Sequence, residues 1–475
     1  MGRLKNENSL KQSAMLRSFT VKILASFLTC LVYFPYPCLG QSKTQKVVEN
    51  VDAYMRYIYG HKYFNGAIII SDKDQILYSN GFGWANYGEK LPFTVNTPSD
   101  TGSLTKTFTA AAIFKLIELG ELHLDAPVSY YLQDFPYPKI QIKHLLGHTS
   151  GIASDDFFFD SMPKDSIIAN DFFLNKLIKE RPELSFGPGE RFEYSNVNFI
   201  LLASIIESVY RQGYLFFLNH HFLKPLHLSD SFLRPPLLKD LEGIRAIGYN
   251  IESGAVNDIE DNEGFYGCCN MFFSTMDLHN WNLGFLKGTV FPNTHLRKGL
   301  ERVQLNDGSL NQLNLLNWYV SDKRDSYHFS GDWKGFYSMS YWNILKERSI
   351  TFVTNGTMPF WLRSRLVYDL NLIMDGNLVH NPVPPNALTI EDFEHIIGKY
   401  RMKNGTIYSL NKQDGQFYLK NEDGSFYKAF PVNSSVFYVA GMDAWLWFED
   451  DIDTMLKMTI STISEIKNVR REIKD

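Results

Sequence analysis

The sequence predicts an α/β (α+β) fold: an antiparallel sheet flanked by helices, followed by a small C-terminal β-barrel or sandwich. Three observations carry this. A hairpin pattern stands early in the chain, strand patterns return only after a long helical middle, and a proline-rich break precedes a series of short strands. Early hairpin and late strands together imply one sheet assembled from both ends of a domain.

Taken in order, Lys46 to Tyr59 places Val47, Val48, Val51, Tyr54, Met55 and Ile58 at helical spacing, which predicts an amphipathic helix. The apolar runs Phe64–Ile70 and Gln75–Phe82 flank the turn Ser71–Asp74 and predict a β-hairpin. Lys106 to Leu119 is nearly all helix formers, is apolar on most faces and stops at Gly120, so it predicts a buried helix. From about 121 to 325 the chain reads as helix and loop, with Phe199–Tyr210 and Ser274–Phe285 the clearest helices. Strands are predicted at Ser326–Phe329, Gly335–Asn343 and Ser349–Thr354, then a helix at Trp361–Met374.

Residues 381–388, with Asn381-Pro382-Val383-Pro384-Pro385, suit neither helix nor central strand and read as a linker. Beyond them a short helix near Glu391–Ile397 is followed by short strands alternating with turns from Thr406 to Ile460. The expected organisation is a signal peptide (1–40), a main domain (41–380), the linker, and a C-terminal β-domain (389–475). The first segment carries Arg3, Lys5, Lys11, Arg17 and Lys22, then the apolar run Ile23–Phe34, then Cys38-Leu39-Gly40. This order of charge, apolar core and small residue is that of a secretory signal, with an uncleaved membrane anchor as the alternative.

A net charge of −5 and no long basic run argue against nucleic acid as a partner. Of the 4 cysteines only Cys268 and Cys269 follow the signal-like segment. Adjacent cysteines make no unstrained disulfide and too few ligands for a metal, so a large apolar core must hold the domain. Oligomeric state is not legible in the sequence.

The chemistry-bearing stretch is Thr101-Gly102-Ser103-Leu104-Thr105-Lys106. A serine and a lysine three positions apart at the head of a helix share one face, which sets an ammonium beside a hydroxyl. Ser-x-x-Lys also occurs at Ser161, Ser409, Ser425 and Ser464, but only the Ser103 copy opens a buried-type helix. Tyr-x-Asn occurs at Tyr63, Tyr78, Tyr194 and Tyr341. The Tyr194 copy follows the turn Gly187-Pro188-Gly189 and stands just before a helix. A tyrosine there can move the serine proton while Asn196 orients the lysine. Asp155, Asp156 and Asp160, interleaved with Phe157–Phe159, read as an exposed loop near the site entrance rather than a metal cluster, with aromatics lining a substrate groove as the alternative.

These motifs resemble the serine β-lactamase and penicillin-binding-protein superfamily, in the branch of class C β-lactamases, D-alanyl-D-alanine carboxypeptidases and esterases. The likeness runs from Phe64 to Ile373 and includes Gly81-Phe82-Gly83-Trp84-Ala85-Asn86, Leu124-Asp125-Ala126-Pro127-Val128 and His148-Thr149-Ser150-Gly151-Ile152. It implies a β-lactamase/transpeptidase-like fold, an acyl-serine intermediate, a small-molecule or peptide substrate with a carbonyl centre, and no cofactor or metal. Ser103 then resembles the nucleophile, Lys106 its activator, Tyr194 the general base and Asn196 the bridge between Lys106 and substrate. The same resemblance makes Ser103 and a late strand the sources of the oxyanion-hole N–H groups. A non-catalytic member that binds cell-wall peptide or an acyl ligand is the alternative. The C-terminal segment resembles the lipocalin-like β-domain of some relatives.

The late strand departs from the family pattern. Relatives usually carry Lys-Thr-Gly or His-x-Gly there; here Phe329-Ser330-Gly331-Asp332 precedes Gly335-Phe336. Phe329 falls where the cation belongs and His328 one residue early. Either a bulge brings His328 inward to hold a carboxylate, or the site lacks its basic residue and Asp332 supplies the second N–H.

Overall fold

The computed structural model describes residues 43–475, apart from 74, 236–240, 242–244, 251–254, 259–261, 291–296, 322–323, 357, 378, 380–395 and short C-terminal segments (403–405, 414–415, 423, 425, 434–435, 440–443, 451–455, 463–464, 472–475). The signal-like segment, the linker and most of the helix expected after it lie outside the described residues. The chain falls into two compact units, 1–49 and 50–475. Of the first, residues 43–49 are described and begin a helix; the sheet, the remaining helices and the candidate site all belong to the second.

After helix α1 (Lys43–Gly60) come strands β1 (Gly66–Asp72) and β2 (Gln75–Phe82), the short pieces β3 (Trp84–Asn86), β4 (Leu91–Pro92) and β5 (Ser99–Asp100), and a 3₁₀ turn, Gly102–Leu104. That turn leads into helix α2 (Thr105–Glu118). The middle of the chain supplies α3 (Ile142–Leu146), α4 (Asp155–Phe159), α5 (Asn170–Glu180), α6 (Asn196–Tyr210), α7 (Tyr214–Leu218), β6 (Phe232–Leu233), β7 (Met271–Phe273) and α8 (Thr275–Leu286). Then come β8 (Arg302–Gln304), β9 (Leu310–Asn314), β10 (Tyr319–Val320), β11 (Ser326–Trp333), β12 (Phe336–Asn343), β13 (Arg348–Thr354) and α9 (Phe360–Met374).

The main sheet has the order β2-β1-β13-β12-β11-β10-β9-β8 with antiparallel neighbours, so the early hairpin does close against the late strands. β1, β12 and β13 are buried almost throughout, because helices cover both faces and no polar alternation is needed. On one face Asn282 of α8 donates to Ser349 Oγ (3.0 Å) and Thr351 Oγ1 (2.8 Å) and accepts from Ser340 Oγ (2.6 Å). On the other, α1 and α9 are joined through Asp369, whose carboxylate accepts from Tyr54 Oη (2.7 Å) and Arg365 Nε (2.8 Å).

Helix α2 runs through the core, with Phe108 stacked between Phe273 and Trp281 at centroid distances of 4.2 and 4.0 Å. The region expected to be helix and loop also contributes β8, β9 and β10, which extend the main sheet beyond β11. Phe158 and Phe159 pack on Phe173 of α5 rather than lining a groove.

Strands β14 (Gly398–Met402), β15 (Ile407–Gln413), β16 (Gln416–Asn421), β17 (Phe426–Asn433), β18 (Val436–Val439), β19 (Ala444–Asp450), β20 (Leu456–Thr462) and β21 (Glu465–Arg471) form a closed barrel. Its closure is the β14–β21 pairing, for example Tyr400 with Arg471. Closing the ring removes exposed strand edges. Inside lie Tyr400, Leu410, Leu419, Phe437 and Leu446. No helix among the described residues is long and apolar enough to cross a membrane.

Candidate active site

The turn carrying Ser103 is seated on β11 by two glycines. Gly102 adopts a left-handed φ of +52°, and a Cβ there would meet the Asp332 nitrogen at 3.0 Å. At Gly331 a Cβ would fall 1.9 Å from the Thr101 carbonyl oxygen and 2.7 Å from the Ser103 nitrogen. Only glycine permits this approach of backbone to backbone. Behind the turn, Ser338 Oγ donates to the Thr101 carbonyl (2.7 Å) and Gly102 N–H to Asp100 Oδ1 (2.8 Å). Burial raises the Asp100 carboxyl to about 6, against the Gly102 N–H and Arg234, which favour its charged form.

Ser103 does not cap α2. Its Oγ instead accepts from Lys106 Nζ (3.1 Å) and lies 2.9 Å from the Tyr194 hydroxyl. Lys106 is wholly buried, and its three ammonium protons find three acceptors: Ser103 Oγ, Asn196 Oδ1 (2.7 Å) and the Cys268 carbonyl (2.9 Å). Burial by itself disfavours the ammonium; the electrostatic influence of the neighbouring Tyr194, with smaller contributions from Cys268 and Cys269, outweighs it and lifts the lysine above its ordinary pKa. The structure thus brings Ser103, Lys106, Tyr194 and Asn196 together. The Cys268 carbonyl was not legible as a ligand, since any residue type supplies a carbonyl.

Tyr194, 38% exposed, is held by its ring. His148 stacks on it at 4.4 Å, and Lys106 Nζ lies 4.9 Å from its centroid. His148 Nδ1 accepts from Ser195 N–H (3.1 Å), which assigns the proton to Nε2, 3.1 Å from Asn317 Oδ1. Burial first, and then the Lys106 charge, push His148 down to about 3, so it is neutral. It is a platform for the tyrosine. His144 Nδ1 accepts from Gln141 N–H (3.1 Å) in the first turn of α3, and burial followed by Lys143 lowers it to about 4.

Asp155 is not part of an exposed loop cluster. Its carboxylate accepts from Ser195 Oγ (2.8 Å), Asn196 N–H (2.8 Å), Asn196 Nδ2 (2.8 Å) and Val197 N–H (3.3 Å), across the N-terminus of α6. A carboxylate is favoured at a helix start by the unpaired N–H groups there.

Strand β11 pairs with β12 without a slip, from Ser326 opposite Asn343 to Trp333 opposite Phe336. The bulge that would bring His328 inward is absent. Side chains alternate along a strand, so Phe329 shares the face of Gly331, which meets the Ser103 turn, and it is only 2% exposed. His328, Ser330 and Asp332 take the opposite face. His328 stacks on Tyr319 at 5.4 Å, and Asp332 pairs with Arg363 of α9 at 2.7 Å. What β11 offers the Ser103 turn is backbone, at Gly331 and the Asp332 nitrogen.

A family model for beta-lactamase matches residues 47–368. The chain belongs to the beta-lactamase family. That family supports a function of the serine hydrolase or acyl-transferase type, on small-molecule or peptide substrates. As a member of the beta-lactamase family the chain is 24% identical over 406 residues to penicillin-binding protein 4* of Bacillus subtilis strain 168, covering 81% of this chain and 90% of that protein. It is 32% identical over 225 residues to protein flp of Staphylococcus aureus strain COL, which spans 45% of this chain and 44% of flp. Its fold is shared with the octameric penicillin-binding protein homologue from Pyrococcus abyssi, at a TM-score of 0.62 and 19% identity, over 89% of this chain and 100% of that one.

Proposed function

We propose that the protein is an exported serine hydrolase that cleaves a neutral ester or amide through an acyl-serine intermediate. The observation that carries this reading is the convergence of Lys106 Nζ and the Tyr194 hydroxyl on Ser103 Oγ, at 3.1 and 2.9 Å. In its phenolate form Tyr194 takes the Ser103 proton as Oγ attacks the carbonyl carbon. The Lys106 ammonium offsets the negative charge, whichever oxygen carries it. The oxygen of the tetrahedral intermediate is stabilised by the N–H groups of Ser103 and Asp332, which the two glycines bring side by side. Tyr194 returns the proton to the leaving alcohol or amine. Water, giving up its proton by the same route, then releases the acid.

The choice of a neutral substrate rests on Phe329. Where related proteins usually carry a cation for a substrate carboxylate, this strand presents a buried phenyl ring. Setting a carboxylate against that ring would desolvate it without a partner, a cost of several kcal/mol. Export is supported by the charged, apolar and small-residue order of residues 1–40.

Intact-mass analysis with a fluorophosphonate and a penicillin, on wild type and Ser103→Ala, tests the proposal. The expected result is a fluorophosphonate adduct on the wild type alone, with no penicillin adduct. If neither reagent adds mass and short esters survive, or if Ser103→Ala is labelled equally, the reading fails. A stable penicillin adduct would overturn the neutral-substrate part.

A further inference from the structure

Asn196 has two chemically opposite ends, and the site works with only one of them facing Lys106. Its Oδ1 accepts from the ammonium at 2.7 Å. Rotating the amide by half a turn would set an NH₂ donor against a buried cation and remove one of its three acceptors. The structure excludes this through Asp155, whose Oδ2 accepts from Asn196 Nδ2 (2.8 Å) and also from the Asn196 backbone N–H (2.8 Å). Oδ1 is occupied by Ser195 Oγ (2.8 Å) and Val197 N–H (3.3 Å). An ionised carboxylate has about four acceptor positions, and four donors meet this one.

We infer that Asp155 is a positioning residue for the acylation step: it fixes the amide orientation of Asn196 and, through it, aims the Lys106 ammonium at Ser103. The inference rests on the reading of Ser103 as the nucleophile. A lysine ammonium is a point charge on a flexible four-carbon stem, so its aim depends on what holds it. The chain of contacts is carboxylate to amide to ammonium to hydroxyl, running from α4 across the start of α6 to the head of α2. Capping of α6 alone would need only the backbone N–H groups of Asn196 and Val197; the bond to the Asn196 side chain is the additional element.

The test is a double-mutant cycle on the rate of fluorophosphonate acylation, with urea unfolding followed in parallel. Asp155→Asn leaves one acceptor oxygen for four donors and turns an NH₂ towards them. The expected loss is up to about 10²-fold in acylation rate, the scale of a small misplacement of a reacting group. Asn196→Ala should lose a similar factor, and the double variant should be no slower than Asn196→Ala alone, the non-additivity expected of two residues in one hydrogen-bond network, while the urea midpoints report separately how far each change destabilises the fold. A reciprocal exchange covers the case where Asp155→Asn folds poorly. Asn196→Asp alone faces two carboxyl groups to each other, and adding Asp155→Asn restores a donor between them. That pair should recover at least about tenfold of the lost rate, since one regained hydrogen bond to a charged group is worth that much. Acylation losses that multiply in the cycle, a wild-type rate in Asp155→Asn, or no recovery in the exchange would each overturn the inference while leaving Ser103 as nucleophile. A wild type that is never labelled removes both.

Discussion

The Lys106 ammonium lies 4.9 Å from the centre of the Tyr194 ring, and both side chains end on the Ser103 hydroxyl. The tyrosine is fixed by stacking on His148, so its ring and its hydroxyl have separable roles. Tyr194→Phe keeps the stack and removes only the hydroxyl that contacts Ser103, the proposed acceptor of the serine proton. Acylation should fall by about 10² to 10⁴, the usual worth of a general base, while unfolding free energy changes by about 1 kcal/mol or less for one lost hydrogen bond. Stopped-flow acylation and urea melts of the two proteins check this. A variant that acylates within a few-fold of wild type would leave Lys106 as the base.

Gly331→Ala is the sharpest test of the other wall. The added methyl would sit 1.9 Å from the Thr101 oxygen and 2.7 Å from the Ser103 nitrogen, and both are backbone atoms that cannot swing away. β11 must therefore draw back from the Ser103 turn. The expected outcome is a loss of activity of about 10²-fold or more with about 1 to 3 kcal/mol of stability, the usual cost of overpacking. Full activity in a folded Gly331→Ala protein would mean that β11 supplies no part of the oxyanion hole.

Sequence and structure agree best where the signal is local. Ser103 and Lys106 lie three residues apart, and the apolar run from Phe108 to Phe114 announces a buried helix by itself. The hairpin β1–β2 and the late strands β12 and β13 are likewise long and apolar. What failed was tertiary or short. Asp155 reaches Asn196 across 41 residues, a proximity that no local pattern encodes. Strands β8 to β10 are 2 to 5 residues long and largely polar, below the length at which alternation is distinguishable from chance. The barrel-closing β21, Glu465-Ile466-Lys467-Asn468-Val469-Arg470-Arg471, carries mostly charged and polar side chains and lies beyond the last strand expected from the sequence, which ends at Ile460; its pairing with β14 is what makes it a strand. The choice between His328 and Phe329 needed the register of β11, which is set by its partner strand.

If Phe329 is what turns carboxylates away, then restoring a cation should admit them. Phe329→Lys places an ammonium on the Gly331 face, where burial lowers its pKa and favours the charged form only at neutral or acid pH. A penicillin adduct on Ser103 should appear by intact mass at about pH 6 and weaken towards pH 9. Continued ester hydrolysis with no penicillin adduct at any pH would show that exclusion of carboxylates has another cause, such as the shape of the cleft.

His148 gives the pH dependence a definite sign. Its native pKa of about 3 lies below the unfolded value of 6.5, so the native state resists its protonation. The stability associated with the neutral ring is full above pH 6.5 and is lost as pH falls towards 3, at no more than about 1.4 kcal/mol per pH unit from this one group. Asp100 acts with the opposite sign. Burial raises it to about 6, so the stability tied to its protonated form is present below the unfolded value of 3.8 and is lost as pH rises through 6. Comparing wild type with His148→Gln cancels the Asp100 contribution, which both proteins share. Urea unfolding at intervals from pH 7 to 4 should show the wild type losing stability more steeply than the variant on acidification. Parallel curves would mean that the imidazole takes up its proton as readily in the native state as in the unfolded chain, and a buried platform under Tyr194 that resists protonation would then be wrong.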